Sequence, residues 1–364
     1  MNTQDLFFKL LRYHSLTPKD DGAFEFITTY LDDFTAQRID IGGVKNLFLY
    51  KKFGEGDRLC FAGHIDVVPA GEGWLSDPFE PILKDGFVYA RGTQDMKSGV
   101  CAMLQACKNT KNFHGTLCLI LTSDEEGDGK CGTIEVLRYL ETQNFLPHFA
   151  IVAEPTSETI FGDAIKIGRR GSINGVLEVF GLQGHAAYPA KAKNPIHLFA
   201  SRLAMLAGYD FDDGDANFEP SKLVITDLRS GMEVTNVTPN TLKMMFNVRN
   251  STKTSKKDIE AYIQKVCDGL DFRLTLSQSA LPFVTSSKNK IVRKLCQSIE
   301  KVLTCKPKKS TAGGTSDARF MASFGVHVVE FGVRNDTIHA PNERCSLQEV
   351  YDLEKVFTDL IKNF

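Results

Sequence analysis

Apolar positions recur along this chain in two periods, helical and extended, and the way the two alternate changes partway along. Phe24, Ile27, Leu31 and Phe34 fall at helical spacing, which predicts an amphipathic helix over residues 21–37. Asn46–Lys51 and Arg58–Gly63 read as strands separated by the turn Gly54-Glu55-Gly56. Lys97–Asn109 reads as a helix and Gly115–Thr122 as a strongly apolar strand. Cys131–Gln143 then reads as a helix and Phe149–Ala153 as a strand. Short apolar strands alternating with helices predict an α/β layer domain with a largely parallel sheet.

The pattern changes near Gly171. Ser172–Gly181 reads as a strand, Pro195–Ala207 as a helix, and Lys222–Ser230 and Asn240–Asn250 as strands. Ser255–Gly269 follows as a helix and Asp271–Gln278 as a strand. Strand, helix, strand, strand, helix, strand is the split βαβ or ferredoxin-like order. After Pro282 the α/β style returns, with a helix at about 288–303. A last helix starts at Ser346, where Glu349 three residues on gives the form of a capping box.

Length and composition narrow the picture. At roughly 100–200 residues per domain, 364 residues predict two domains. Lys plus Arg is 43 and Asp plus Glu is 45. No overall charge therefore draws the chain to nucleic acid or an anionic membrane. The start, MNTQDLFFKLLRYH, is too charged and too short in apolar residues for a secretory signal. No stretch approaches the ~20 apolar residues that span a bilayer. The nine cysteines are scattered without a CxxC pair, which reads as reduced thiols in a cytoplasmic protein.

Chemistry-bearing residues gather where these elements end. The strand Arg58–Gly63 delivers His64-Ile65-Asp66, and residues i and i+2 of an extended chain share a face. A carboxylate beside a histidine is the usual brace of a metal-binding imidazole. Asp95 precedes a helix, where an aspartate also serves simply as an N-cap. Ser123-Asp124-Glu125-Glu126-Gly127 follows the most apolar strand, and its adjacent glutamates can diverge, one toward a metal and one toward water. Taken alone it is an ordinary acidic turn, and it lacks the ladder of an EF-hand. Glu154 follows the strand Phe149–Ala153, and His339 lies in Thr337–Glu343. Ligands in open α/β sheets collect at the carboxyl ends of strands, so these features together predict one metal site.

The segments AGHIDVVPAGEGW (62–74), ARGTQDMKSG (90–99), SDEEGDG (123–129), AEP (153–155), GHAAYP (184–189), GGTSDARF (313–320) and IHAPNE (338–343) resemble the binuclear zinc aminoacylase/deacylase family. The resemblance covers nearly the whole chain. It implies that His64, Asp95 and Glu154 bind one zinc, and that Glu126, His339 and the shared Asp95 bind the other. Asp66 would brace His64, and Glu125 would be general base and acid. Cobalt or manganese could also occupy such a site. Two departures leave every ligand in place: Ala90 stands where the family often has glycine, and Ser98 intervenes before Gly99.

The resemblance also implies a discontinuous α/β/α zinc-hydrolase domain, residues 1–170 and 284–364. Into it is inserted a ferredoxin-like α+β lid and dimerisation domain, residues 171–283. The partner subunit of a homodimer would receive His185. IKIGRRGS (165–172), GLQGHAAYP (181–189) and the 313–320 loop favour family members that act on N-succinyl-LL-2,6-diaminopimelate, releasing succinate and LL-2,6-diaminopimelate. Lys166, Arg169, Tyr188, Asn236, Arg249, Thr315, Ser316 and Arg319 would contact this small-molecule substrate, arginine forks suiting its carboxylates. The alternatives are deacetylation of N-acetylornithine, another deacylase or dipeptidase of the family, or a metal-binding scaffold that has lost catalysis. A phosphate loop at Gly313-Gly314-Thr315 is rejected because the Gly-Lys-Ser/Thr ending is absent. Lys306-Pro307-Lys308-Lys309 is too short a basic run to bind nucleic acid.

Overall fold

The computed structural model describes residues 1–364, which divide into two compact units. The first comprises Met1–Gly168, Thr285–Ser310 and Ser316–Phe364. The second comprises Arg169–Val284 and Thr311–Thr315.

The first unit begins with helices α1 (Thr3–Leu11) and α2 (Ala23–Tyr30), then strands β1 (Thr35–Arg38), β2 (Asn46–Lys52) and β3 (Asp57–His64). It continues with α3 (Ser98–Asn109), β4 (Gly115–Thr122), α4 (Thr133–Thr142), β5 (Phe149–Val152) and β6 (Ala164–Lys166). The second unit holds β7 (Ser172–Phe180), α5 (Pro195–Leu206), β8 (Lys222–Ser230), β9 (Thr241–Arg249), α6 (Lys256–Val266) and β10 (Phe272–Ala280). The chain then returns to the first unit with α7 (Lys290–Leu303), β11 (Lys308–Ser310), α8 (Ala318–Ser323), β12 (His327–Glu330) and α9 (Leu347–Asn363).

The first unit is built on one eight-stranded sheet in the order β1-β2-β4-β3-β5-β12-β6-β11. Its centre, β4-β3-β5-β12, is parallel, while β1-β2 and β2-β4 are antiparallel. Every residue of β4 is buried, as a central strand covered on both faces requires. Helix α9 packs on α3 and α7. It brings Leu353, Phe357 and Leu360 into the same core as Phe61, Leu104 and Leu119.

Two local expectations fail for identifiable reasons. Helix α2 stops at Tyr30 rather than running to residue 37. Leu31 leaves helical dihedrals (φ −99°, ψ 52°), and residues 35–38 pair with β2. Leu31 and Phe34 stay buried, so the apolar spacing carried on through a turn. Ser346 caps α9 by position but makes no side-chain cap bond. Glu349 instead accepts from Arg334 Nε at 2.5 Å and from its backbone amide at 3.1 Å. The reciprocal capping box occurs at α6, between Ser255 and Asp258.

The second unit is a four-stranded antiparallel sheet, β8-β9-β7-β10. Numbered in chain order its strands run 2-3-1-4, the split βαβ arrangement. Ile173, Leu177, Phe199, Met244, Ile259 and Ile263 form its core. No helix of the chain is long and apolar enough to cross a membrane.

Candidate metal centre

Strand register brings the site together. In the parallel centre of the sheet His64 pairs with Thr122 and Ala62 with Val152, while Val152 pairs with Glu330. The four strands therefore end along one edge, and the loop after each starts there. His64 ends β3, and the loops carry Asp66, Glu125 and Glu126, Glu154, and His339. Asp95 joins them from the irregular turn Thr93–Lys97 ahead of α3, where the Asp95–Met96 peptide is cis. His339 adopts a left-handed φ of 61°.

Asp95 lies at the middle of the cluster. Its Oδ1 is 3.1 Å from His64 Nε2 and its Oδ2 is 3.5 Å from His339 Nε2. His64 Nε2 is also 3.7 Å from Glu154 Oε1, and His339 Nε2 is 2.9 Å from Glu126 Oε1. Ligand atoms of His64, Asp95 and Glu126 lie within 4.8 Å of one another, as do those of His64, Glu125 and Glu154. The brace on His64 differs in detail from the expected carboxylate. Nδ1 donates to the backbone carbonyl of Asp66 at 2.9 Å, while the Asp66 carboxylate lies 3.6 Å away. That carboxylate accepts from the amides of Glu125 (3.4 Å) and Glu126 (3.1 Å) and so fixes the loop that bears both glutamates.

The electrostatics are those of a site short of positive charge. Burial pushes the Glu125 carboxyl well above its usual range, and the charges of Asp317, Asp95 and Glu126 add to this against His64. Burial likewise raises Glu154, with Asp95 contributing, and pushes Asp66 up to about 6. Burial works against the charged form of Asp95 as well, yet hydrogen bonds with His339 and His64 hold its carboxyl well below the carboxylate range. Hydrogen bonds with Asp95 and Glu126 push His339 up to about 10. Asp66, Asp95, Glu125, Glu126 and Glu154 thus crowd around only two imidazoles. Carboxylate and imidazole donors without thiolate are a set that divalent cations fit, and the excess negative charge is what such cations neutralise.

The other expected site residues are more scattered. In the first unit Lys166 is buried with Nζ 3.1 Å from Glu158, Ser316 Oγ donates to Glu330 at 2.5 Å, and Arg319 lies over the Phe320 ring. In the second unit His185 is exposed on the short pairing of Gly184–His185 with Val237–Thr238. The Tyr188 ring meets its imidazole at 5.6 Å, and the Asn236 carbonyl accepts from Ala186 N at 2.9 Å. These three form one cluster. Arg249 stands at the opposite end of β9, roughly 27 Å of strand away. Arg169 is buried and donates to the Ala312 carbonyl at 3.1 Å, and Thr315 belongs to the same unit.

Sequence reasoning passed over four buried residues beside the cluster. Arg91, Gln94 and Glu343 tie its loops together. Lys97 donates to the Tyr13 carbonyl at 2.8 Å, and burial pushes its pKa down to about 7 against Glu343, Asp66 and Asp21.

The sequence profile of peptidase family M20/M25/M40 matches residues 60–363. A protein of a Nitratiruptor species, named succinyl-diaminopimelate desuccinylase, is 62% identical over 364 residues and covers 100% of both chains. One of the same name from Sulfurimonas denitrificans is 60% identical over 361 residues, covering 99% of each. Among solved structures, aminopeptidase PepT from Bacillus cereus ATCC 10987 superposes with a TM-score of 0.83 at 21% identity, covering 100% of this chain and 98% of that one. The fold is shared across that distance, and by sequence the chain belongs to peptidase family M20/M25/M40.

Proposed function

We propose that this chain is a metal-dependent amidohydrolase that cleaves N-succinyl-LL-2,6-diaminopimelate into succinate and LL-2,6-diaminopimelate, a step of diaminopimelate and lysine biosynthesis in the cytoplasm. The observation that carries this reading is full-length identity of 62% and 60% to proteins named for that activity. The complete set of His64, Asp95, Glu125, Glu126, Glu154 and His339 at one sheet edge supports it.

His64, Asp95 and Glu154 would hold one cation, and Asp95, Glu126 and His339 the other. Zinc suits these donors, and cobalt or manganese is an alternative in one position. When bound, such a pair lowers the pKa of water toward about 7 and polarises the scissile carbonyl. Asp95 has one carboxylate oxygen toward each histidine, an orientation suited to a bridge. Glu125 takes a proton from the attacking water on a carboxylate oxygen and returns it to the departing amide nitrogen. Asp66 orients Glu125 and Glu126 through their amides.

The inserted unit serves as lid and homodimer contact. Its outermost strand β8 exposes Val224 and Leu228, and α5 exposes Ile196 and Met205. An edge strand with apolar side chains offers both backbone and surface for pairing with a second copy. His185 reaches the partner's centre and stabilises the oxyanion. Lys166, Arg169, Arg249, Thr315, Ser316 and Arg319 would bind the carboxylates and amines of the substrate, and Tyr188 and Asn236, which cluster with His185, would do so with it at the partner's centre. Steady-state hydrolysis of succinylated diaminopimelate tests the reading, and absence of turnover by the metal-loaded chain would overturn it.

A further inference from the structure

The reading of five residues as cation ligands leaves a buried ion pair beside them without a role. Arg91 is 1% exposed and Glu343 is not exposed at all. They are 2.7 Å apart, from Nη1 to Oε2. The Glu343 carboxylate also accepts from the backbone amides of Gly92 (3.0 Å), Gln94 (2.7 Å) and Asp95 (3.3 Å). It therefore grips the turn that presents Asp95. The other arm of the Arg91 fork donates to the carbonyls of Ala70 (3.0 Å) and His339 (3.3 Å). One ion pair thus reaches the loop that follows His64, the turn of Asp95 and the backbone of His339 itself.

Gln94 makes a second tie between the same segments. Its Oε1 accepts from Thr337 N at 2.8 Å and its Nε2 donates to Asp336 Oδ1 at 2.6 Å. His339 follows two residues after Thr337, with a positive φ that an unrestrained chain rarely adopts.

Stability alone is a weak reason to keep such a pair. Desolvating both charges is costly, and well-packed apolar residues of the same volume often hold a fold as well. The fork geometry explains why this one is arginine. A guanidinium reaches several acceptors in fixed directions, which a lysine ammonium cannot. From this we infer that Arg91 and Glu343 are positioning residues that fix the spacing between Asp95 and His339. The inference rests on the assignment of Asp95 and His339 as cation ligands. It concerns residues that hold the backbone of Asp95 and His339.

The test is titration of the metal-free full-length chain with Co2+ against a chelating indicator, for the unaltered protein, Glu343→Gln and Arg91→Lys. Thermal melting and kcat and KM for the succinylated substrate accompany it. Arg91→Lys keeps a positive charge near Glu343 but lacks the fork that reaches Glu343, Ala70 and His339 together. Both variants are expected to bind Co2+ on the order of 10–100-fold more weakly in one of two steps. Their kcat falls while KM stays nearly constant. A purely structural role would lower the melting temperature and leave the Co2+ affinities of the folded chain unchanged. Folded variants with unaltered affinity in both steps would overturn the inference. If Glu343→Gln does not fold, Arg91→Lys decides. Failure of the unaltered chain to take up any Co2+ sinks the metal-centre reading itself. Uptake without turnover sinks only the substrate assignment, and the affinity comparison still stands.

Discussion

Glu125→Gln separates the base from the ligands. Gln keeps the shape of the side chain and leaves the backbone bond from residue 125 to Asp66 untouched. What it removes is a group able to take a proton, within a cluster where burial and the charges of Asp317, Asp95 and Glu126 already disfavour the ionised form. The metal-free variant is therefore expected to melt no lower than the unaltered chain, because one member of a repelling set has become neutral. Loss of a general base lowers turnover on the order of 10²–10⁴-fold, or about 3–5 kcal/mol of barrier.

The competing role for Glu125 is explicit in the geometry, since its carboxylate lies within 4.8 Å of ligand atoms of His64 and Glu154. The assay must therefore read kcat and bound metal on the same sample, by steady-state hydrolysis and elemental analysis. Full metal content with turnover down by the stated factor supports the base. Turnover within about tenfold of the unaltered chain refutes the assignment. Loss of metal alongside activity would make Glu125 a ligand.

Three further outcomes are expected. Asp66→Ala strips the acceptor from the Glu125 and Glu126 amides, each orphan costing about 1–3 kcal/mol. It should lower both the melting temperature and cation affinity, and a variant that melts like the unaltered chain would contradict the loop-fixing role. Zn2+ supplied to the metal-free chain at about 100 times its Kd should add about 2.7 kcal/mol per site, seen as a rise in melting temperature; an unmoved melt means that the folded state does not bind it. In the inserted unit burial opposes the charged form of Asp212, yet hydrogen bonds from Ser221, Thr254, Gly214 and Ser251 leave its carboxyl well below the usual range. A depressed carboxyl stabilises the fold above its unfolded pKa, roughly 3.9, and that stability is lost as pH falls toward the lower folded value. Asp212→Asn should therefore weaken the unit at neutral pH by more than at pH ~3; an equal loss at both would remove the charge from the explanation.

What could be read from the chain follows from the range of the interactions involved. β4 was legible because its eight residues are all apolar or small and all buried. The meeting of His64, Glu125, Glu126 and Glu154 at one sheet edge was legible because each ends or follows an apolar strand, and parallel register then aligns those strand ends. The end of α2 was not, because Leu31 and Phe34 keep helical spacing while β1 is held by pairing with residues on β2. Glu349 fits the local capping pattern yet is drawn to Arg334 by tertiary contact. Arg91 and Glu343 meet across 252 positions, and no local pattern reports a pair that only the returning segment completes.

The most direct measurement is turnover by the full-length chain, stripped of metal and then reloaded with Zn2+, on N-succinyl-LL-2,6-diaminopimelate, N-acetylornithine and an unblocked dipeptide in parallel. The expected result is no hydrolysis without metal, recovery as two equivalents are added, and the highest kcat/KM on the succinylated substrate. A higher kcat/KM on N-acetylornithine or the dipeptide, or a chain that holds two zinc ions and hydrolyses none of the three, would contradict it.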